Sequence, residues 1–324
     1  MKAIIQMAYG MPSEVLELRE VEKPAPKDDE VLIKVQSASI TFGDLASVKG
    51  EPFVARLSLG LREPKIKTPG KDVAGIVEAV GSKVKQFRPG DKVFGDLSEC
   101  GWGAYAEYVS VPEDAIVHMP GYLSFEEAAA VPESGVVALQ GLKDKGQIQS
   151  GQKVLIYGAS GGIGTFAVQI AKSFDTEVTG VCSTRNLELV KSLGADHVID
   201  YTQEDFAQNE ETYDLILATA GYRSIFEFRR ALAPGGHYVA TGGQMAQIFQ
   251  PMLLGPWLSS KGRKMTNLSM KPDKKDLTFL KELIEAEKVS AVIDRSYPLS
   301  ELPEALQYYG KGHSRGKVVV TIEH

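Results

Sequence analysis

At 324 residues the chain exceeds the roughly 100 to 200 of a single domain, so two domains are expected. Its 36 Lys and Arg against 42 Asp and Glu give a net charge of −6, with no extended basic run to neutralise phosphates, and nucleic acid is not expected as a partner. Two cysteines, Cys100 and Cys182, are too few for a disulfide framework or a four-thiolate zinc site, and no run of about 18 apolar residues is present to cross a bilayer. A cytoplasmic protein without membrane insertion is the expectation.

From Lys2 to Met119 short apolar runs alternate with polar residues (KAIIQMA, EVLIKVQSASI, DVAGIVEAVG, DKVFGDL, AYAEYVSV), separated by Pro and Gly, which predicts a compact all-β unit. Ser124 and Glu127 form a capping-box pattern for a helix through EEAAA, and Pro132 ends it or starts the next. From Lys153 the pattern changes to strand then helix, repeated. The strands KVLIYG, EVTGVCS, HVID, YDLILATA, HYVATG and KMTNLSM predict a six-stranded doubly wound parallel sheet. The run QIFQPMLLGPWLSS at 247–260 reads as a helix packed on that sheet. After Met270 come an amphipathic helix (KKDLTFLKELIEAEKV), a second helix (ELPEALQYYG) and a last strand (KVVVTI).

The stretch YGASGGIG at 157–164 follows a strand and opens a helix, the context that a dinucleotide fingerprint requires. Its spacing is Ala159, Gly161, Gly164: Ala159 in the tight turn, Gly161 for backbone approach to a pyrophosphate, Gly164 for close helix packing. The helix N-terminus then faces the phosphates, with Ser160, Gly161, Gly162 and Ile163 as contacts. No Lys-Ser/Thr pair follows, so it is not a Walker loop. An NAD-preferring site carries an acid at the end of the second strand, about 20 residues on. Here that strand ends VCSTRN; Ser183 and Arg185 suit a 2′-phosphate, which favours NADPH, unless Arg185 only caps a helix start.

TPGKDVAGIVEAVG at 68–81, RPGDKVFG at 88–95 and the following GAYAEYVSVP resemble the GroES-like domain of the medium-chain dehydrogenase/reductase superfamily, and GADHVIDY and RGKVVVTI resemble later segments of it. The resemblance spans the whole chain. It implies a GroES-like β-rich catalytic domain at 1–122 and 271–324, a Rossmann domain at 123–270, and an active site in the cleft between them. It adds Tyr201 as a phosphate contact, with Thr219, Thr241 and Gly242 at strand ends and Arg315 in the last segment as further cofactor contacts. It further implies that the run at 247–260 supports a homodimer contact or lines the substrate cleft.

Zinc divides that superfamily. Alcohol dehydrogenases have Cys where this chain has Thr41, and a His-Glu pair where it has Lys71 and Asp72, and the four-cysteine lobe is missing. The five histidines lack metal-ligand spacing, so no zinc is expected. The chain resembles the zinc-independent quinone oxidoreductase (zeta-crystallin-like) branch, which includes enone and alkenal reductases. A quinone or an α,β-unsaturated carbonyl spreads the charge of an incoming hydride over a conjugated system, so a hydrogen-bond donor and solvent protonation suffice where an isolated carbonyl needs a Lewis or general acid.

Many relatives carry Asn at Thr41 and Thr at Val137; of the two replacements only Thr41 keeps a donor. Thr41 and Lys71 are the candidate catalytic donors, set against a strand-end hydroxyl bonded to backbone and a solvated lysine. Asp44 is expected to order the local turn. The function expected is NADPH-dependent hydride transfer to a quinone or enone; the alternatives are a zinc-free dehydrogenase or enoyl-thioester reductase, and an NADPH-binding crystallin-like protein without turnover.

Overall fold

The computed structural model describes residues 1–209, 211–260 and 262–324. The chain packs as two compact units: 1–133 with 272–281 and 291–324, and 134–271 with 282–290.

In the first unit the strand Glu30–Ile40 is central because most of its residues on both faces are buried. It pairs antiparallel with Asp72–Val80, Tyr108–Pro112 and the last strand, Lys317–Thr321. The sheet runs Ile293–Pro298, Lys317–Thr321, Glu30–Ile40, Asp72–Val80, Lys92–Asp96, Ile116–His118, with Tyr108–Pro112 added on Glu30–Ile40. Its core gathers Ile4, Val31, Ile33, Val73, Tyr105 and Val318, all at most 1% exposed.

The expected all-β character of Lys2–Met119 is corrected here by the helix Phe42–Lys49, while the helix Leu302–Gly310 stands where ELPEALQYYG predicts it. The first has a capping box: Thr41 and Asp44 satisfy each other's backbone N–H groups three residues apart. The helix Phe125–Ala129 is capped by Ser124 and Glu127 as predicted, and Pro132 begins the next helix, Pro132–Gln140.

Residues 123–133 pack with the first unit, so the division falls at 133 and not at the expected 122. The physical reason is local: the backbone N–H of Glu133 donates to Asp72 Oδ1 at 3.0 Å. The second boundary is crossed twice, because 282–290 pack with the second unit, where Gln169 holds Ser290 through both backbone groups.

The second unit is the predicted parallel sheet. Six strands, Lys153–Tyr157, Glu177–Cys182, His197–Asp200, Tyr213–Ala218, Leu232–Ala240 and Lys264–Asn267, stand in the order third, second, first, fourth, fifth, sixth. Every pairing is parallel. Strand order reverses between the first and fourth strands, and ligands of such sheets bind outside the carboxyl ends of the strands at that point. The helix Met245–Leu258 meets the sixth strand through its small residue: a Cβ on Gly255 would stand 2.3 Å from the Met265 carbonyl oxygen. Leu253 and Trp257 on this helix are 73% and 88% exposed, so its apolar face is not the one packed on the sheet.

Candidate functional site

The glycine loop sits at the reversal point. Gly158, with φ +88°, makes the left-handed turn, and Ala159 behind it is fully buried. The tight turn therefore falls one residue before the Ala159 expected from the spacing, because only glycine adopts this backbone without strain. Gly164 is required by packing, since a Cβ there would lie 2.1 Å from the Gly158 carbonyl oxygen. Gly161 differs: a Cβ would meet only the Gly158 oxygen, at 3.5 Å. That open space is the cradle into which a phosphate fits. Gly161 is the N-cap of the helix Gly162–Ser173 and offers no side-chain cap, leaving the first-turn N–H groups of Gly162 and Ile163 for an anion.

Around this loop the parallel register brings predicted contacts together. Ser183 follows the second strand, and the Tyr201 N–H donates to the Cys182 carbonyl at 3.1 Å, so the ends of the second and third strands lie side by side. Arg185 and Tyr201 are exposed there. Thr219 and Thr241 sit at strand ends as expected, but their hydroxyls donate to backbone: Thr219 to Tyr157 and Gly158, Thr241 to Ala218. Thr219 thereby fixes the glycine turn. Gly242 allows close backbone approach, since a Cβ would lie 2.3 Å from the Thr219 carbonyl oxygen. Arg315 is exposed and belongs to the first unit, ahead of the last strand.

Two residues here escaped sequence reasoning. Asn186 donates through Nδ2 to Ser160 Oγ at 2.9 Å and to Ser183 Oγ at 3.3 Å, joining the glycine loop to the second-strand turn. Its Oδ1 is buried without a protein partner among the described residues, as a site built for a further donor would leave it. Asp200 supplies an acid beside the second strand, from the third. The hydroxyl of Thr184 holds its carboxyl below the usual range, and Thr202 and Gln203 also donate to it. No spacing in the second strand announces either residue.

The first unit carries the other group. Thr41 is 4% exposed, and its hydroxyl donates to Asp44 Oδ2 at 2.8 Å while accepting from the Asp44 N–H. Its hydroxyl proton is thus engaged in the cap, and Asp44 orders the turn. Lys71 is half-buried, with its ammonium 5.0 Å from the centre of the Trp102 ring. Asp44, Asp72, Asp96 and Glu133 surround it electrostatically, and they hold the ammonium above the usual lysine range against the effect of burial, which acts the other way. Asp72 is itself buried; it accepts from Ser39 at 2.8 Å and faces Lys317 at 3.5 Å. Val137, on the part of the helix Pro132–Gln140 that belongs to the second unit, is buried and offers no donor.

These residues do not fit zinc. A lysine ammonium and an engaged threonine hydroxyl occupy the motif positions, and no cluster of three or more His, Cys, Asp or Glu among the described residues could hold a metal ion. The glycine cradle and its helix N-terminus do fit a dinucleotide pyrophosphate.

A GroES-like β unit joined to a six-stranded dinucleotide-binding sheet defines the medium-chain dehydrogenase/reductase class, and matches to known proteins agree. Residues 27–121 match the family described as alcohol dehydrogenase GroES-like domain, and residues 193–320 that described as zinc-binding dehydrogenase. The chain is 35% identical over 332 residues to the chloroplast envelope quinone oxidoreductase homolog of Arabidopsis thaliana, covering 99% of this chain and 98% of that one. It is 32% identical to the NADPH-dependent alkenal/one oxidoreductase, chloroplastic, of the same plant, with 99% and 79% covered. The structure of the quinone oxidoreductase from Coxiella burnetii superposes with a TM-score of 0.86 at 31% identity, covering 100% and 99%. The chain belongs to the medium-chain dehydrogenase/reductase superfamily, among its quinone oxidoreductase homologues. No helix among the described residues is long and apolar enough to cross a membrane.

Proposed function

We propose that the protein is an NADPH-dependent oxidoreductase that reduces a quinone or an α,β-unsaturated carbonyl without zinc. The observation that carries this reading is the pair Thr41 and Lys71, which does not match a zinc-ligand set, in a chain whose open glycine cradle fits a dinucleotide. Ser160, Gly161, Gly162 and Ile163 would hold the pyrophosphate, with the helix N-terminus opposing its charge. Ser183, Arg185 and Tyr201 would take the 2′-phosphate, Arg185 through charge-assisted hydrogen bonds. Thr219, Thr241 and Gly242 shape the strand ends beneath the cofactor, and Arg315 is a further contact. The bound nicotinamide supplies the hydride.

A conjugated acceptor suits a site with no metal, because its delocalised charge needs only a hydrogen-bond donor or a fixed cation and a proton from water. Two free thiols, Cys100 and the buried Cys182, suit a reducing compartment such as the cytoplasm. Exposed Met252, Leu253 and Trp257 on one helix support a homodimer. The test of the reaction is NADPH oxidation against a panel of quinones, alkenals and enoyl thioesters. Turnover of quinones or alkenals is expected; turnover of enoyl thioesters alone, or binding of NADPH with no acceptor reduced, overturns the reading.

A further inference from the structure

A Cβ placed on Gly43 would lie 2.1 Å from Lys71 Nζ and 3.6 Å from Thr41 Oγ1, so the ammonium rests against the first turn of the helix Phe42–Lys49, beside the Thr41 cap. The centre of the Trp102 ring lies 5.0 Å from the ammonium. Glu133, Asp44, Asp96 and Asp72, in that order of strength, act on it. Three of them leave one buried oxygen each without a hydrogen-bond partner among the described residues: Asp44 Oδ1, Asp96 Oδ2 and Glu133 Oε2. Asp44 and Asp96 are 0% and 6% exposed, so these oxygens are not satisfied by bulk water. A lysine enclosed in this way is not a solvated surface charge. It is a fixed cation, and it occupies one of the motif positions that a metal-dependent relative fills with a ligand.

We propose that the Lys71 ammonium stabilises the oxygen anion that forms on the acceptor when hydride arrives. This rests on the reaction proposed above. For an enone, hydride forms a new C–H bond at the β-carbon, the carbon–carbon π pair moves toward the carbonyl, and the carbonyl π pair settles on oxygen. The dihydronicotinamide is oxidised by two electrons and the acceptor reduced by two. The oxyanion pairs with Lys71, and a proton from water completes the product.

The surrounding acids decide between two roles for the lysine. They hold its proton tightly, which makes it a poor general acid at neutral pH and a durable cation. They oppose an oxyanion less than their number suggests, because burial pushes the Asp72 carboxyl, which faces Lys317, up to about 8, so that it is largely protonated at neutral pH. Preorganised stabilisers of a developing oxyanion are worth roughly 10²- to 10³-fold in turnover.

The test combines a binding readout with kinetics. Bound 4-nitrophenol, followed by its phenolate absorbance, should titrate at least about one unit below its free value in the wild type, since a nearby cation favours the anion. Lys71→Met should abolish that shift and lower kcat/KM by about 10²-fold or more, with the NADPH dissociation constant unchanged. Lys71→Arg should retain part of both. Gly43→Ala keeps every charge and needs no unusual backbone, but its methyl group displaces the ammonium; it should reproduce the loss even if Lys71→Met does not fold. Failure of the wild type to bind the phenolate overturns the inference, and so does a Gly43→Ala or Lys71→Met protein with unaltered phenolate titration. A wild type that shifts the phenolate yet reduces no acceptor overturns only the proposed reaction.

Discussion

Lys317 Nζ lies 3.5 Å from Asp72 Oδ2, with the two side chains 2% and 0% exposed. The pair links the last strand to Asp72–Val80 across the central strand, while Asp72 also accepts from Ser39 and from the Glu133 N–H. Removing Lys317 leaves Asp72 buried without its countercharge; burial already pushes that carboxyl up to about 8, so its protonation relieves part of the roughly 3 to 5 kcal/mol that an unpaired buried charge costs. Lys317→Met should lower the urea midpoint accordingly. The double variant Lys317→Met with Asp72→Asn should regain most of the loss, because both charges are then gone. A double variant no more stable than the single one would show that Lys317 acts through its packing.

The pH dependence of stability follows from Asp96. Burial raises its carboxyl to about 6, with Glu133 adding to the effect and Ser98 opposing it. A raised carboxyl binds its proton more readily in the folded state than in the unfolded chain, where the value is near 3.8. Between those values the native state holds more protons, so stability falls as pH rises through the window, by at most about 1.4 kcal/mol per pH unit. Urea midpoints measured from pH 4 to 7 should decline on this account, and Asp96→Asn should flatten that part of the decline. An unchanged slope in the variant would remove Asp96 as its source.

Gly161 and Gly164, three residues apart, should fail in opposite ways. Gly161 has extended backbone, φ −83° and ψ 175°, and open space where a Cβ would go. Gly161→Val should therefore fold with a melting temperature close to the wild type and bind NADPH at least about tenfold more weakly, a loss of about 1.4 kcal/mol. At Gly164 the methyl of Gly164→Ala strikes the Gly158 carbonyl, and the expected cost is overpacking of about 1 to 3 kcal/mol. Calorimetry and a cofactor titration on both proteins separate the two effects. Unchanged NADPH affinity in folded Gly161→Val would remove the loop from the cofactor site.

The parallel sheet was legible because its strands are continuous apolar runs separated by helix-period segments, and the loop because glycine spacing carries its own geometry. The helix Phe42–Lys49 lies inside the run that reads as all-β, although Thr41 and Asp44 stand at capping-box spacing, because short apolar runs broken by Pro and Gly dominate its surroundings. Asn186 and Glu133 had no local signal. Their partners, Ser160 and Asp72, are 26 and 61 residues away in sequence, and only the packed strands bring them within hydrogen-bond reach. The buried acids around Lys71 were illegible for the same reason: each belongs to a different element, and no periodicity predicts that four carboxylates share one ammonium.

Cofactor preference turns on individual side chains. Arg185 and Tyr201 stand exposed at the adjoining ends of the second and third strands, beside Ser183. Asp200, at the end of the third strand, has its carboxylate engaged by Thr184, Thr202 and Gln203, which leaves it poorly placed to accept a ribose diol as the acid of an NAD site does. Charge-assisted hydrogen bonds contribute roughly 1.5 to 3 kcal/mol, so losing one weakens binding by about 10- to 150-fold. Exposure of Arg185 places the expected effect at the lower end, because solvent and salt screen the contact. Arg185→Ala should thus weaken NADPH about tenfold and leave NADH within about twofold. Raising ionic strength should weaken NADPH binding more than NADH binding in the wild type and narrow that difference in the variant. Dissociation constants for both nucleotides on both proteins, at two salt concentrations, check this; equal weakening of NADPH and NADH by the substitution would take Arg185 away from the 2′-phosphate.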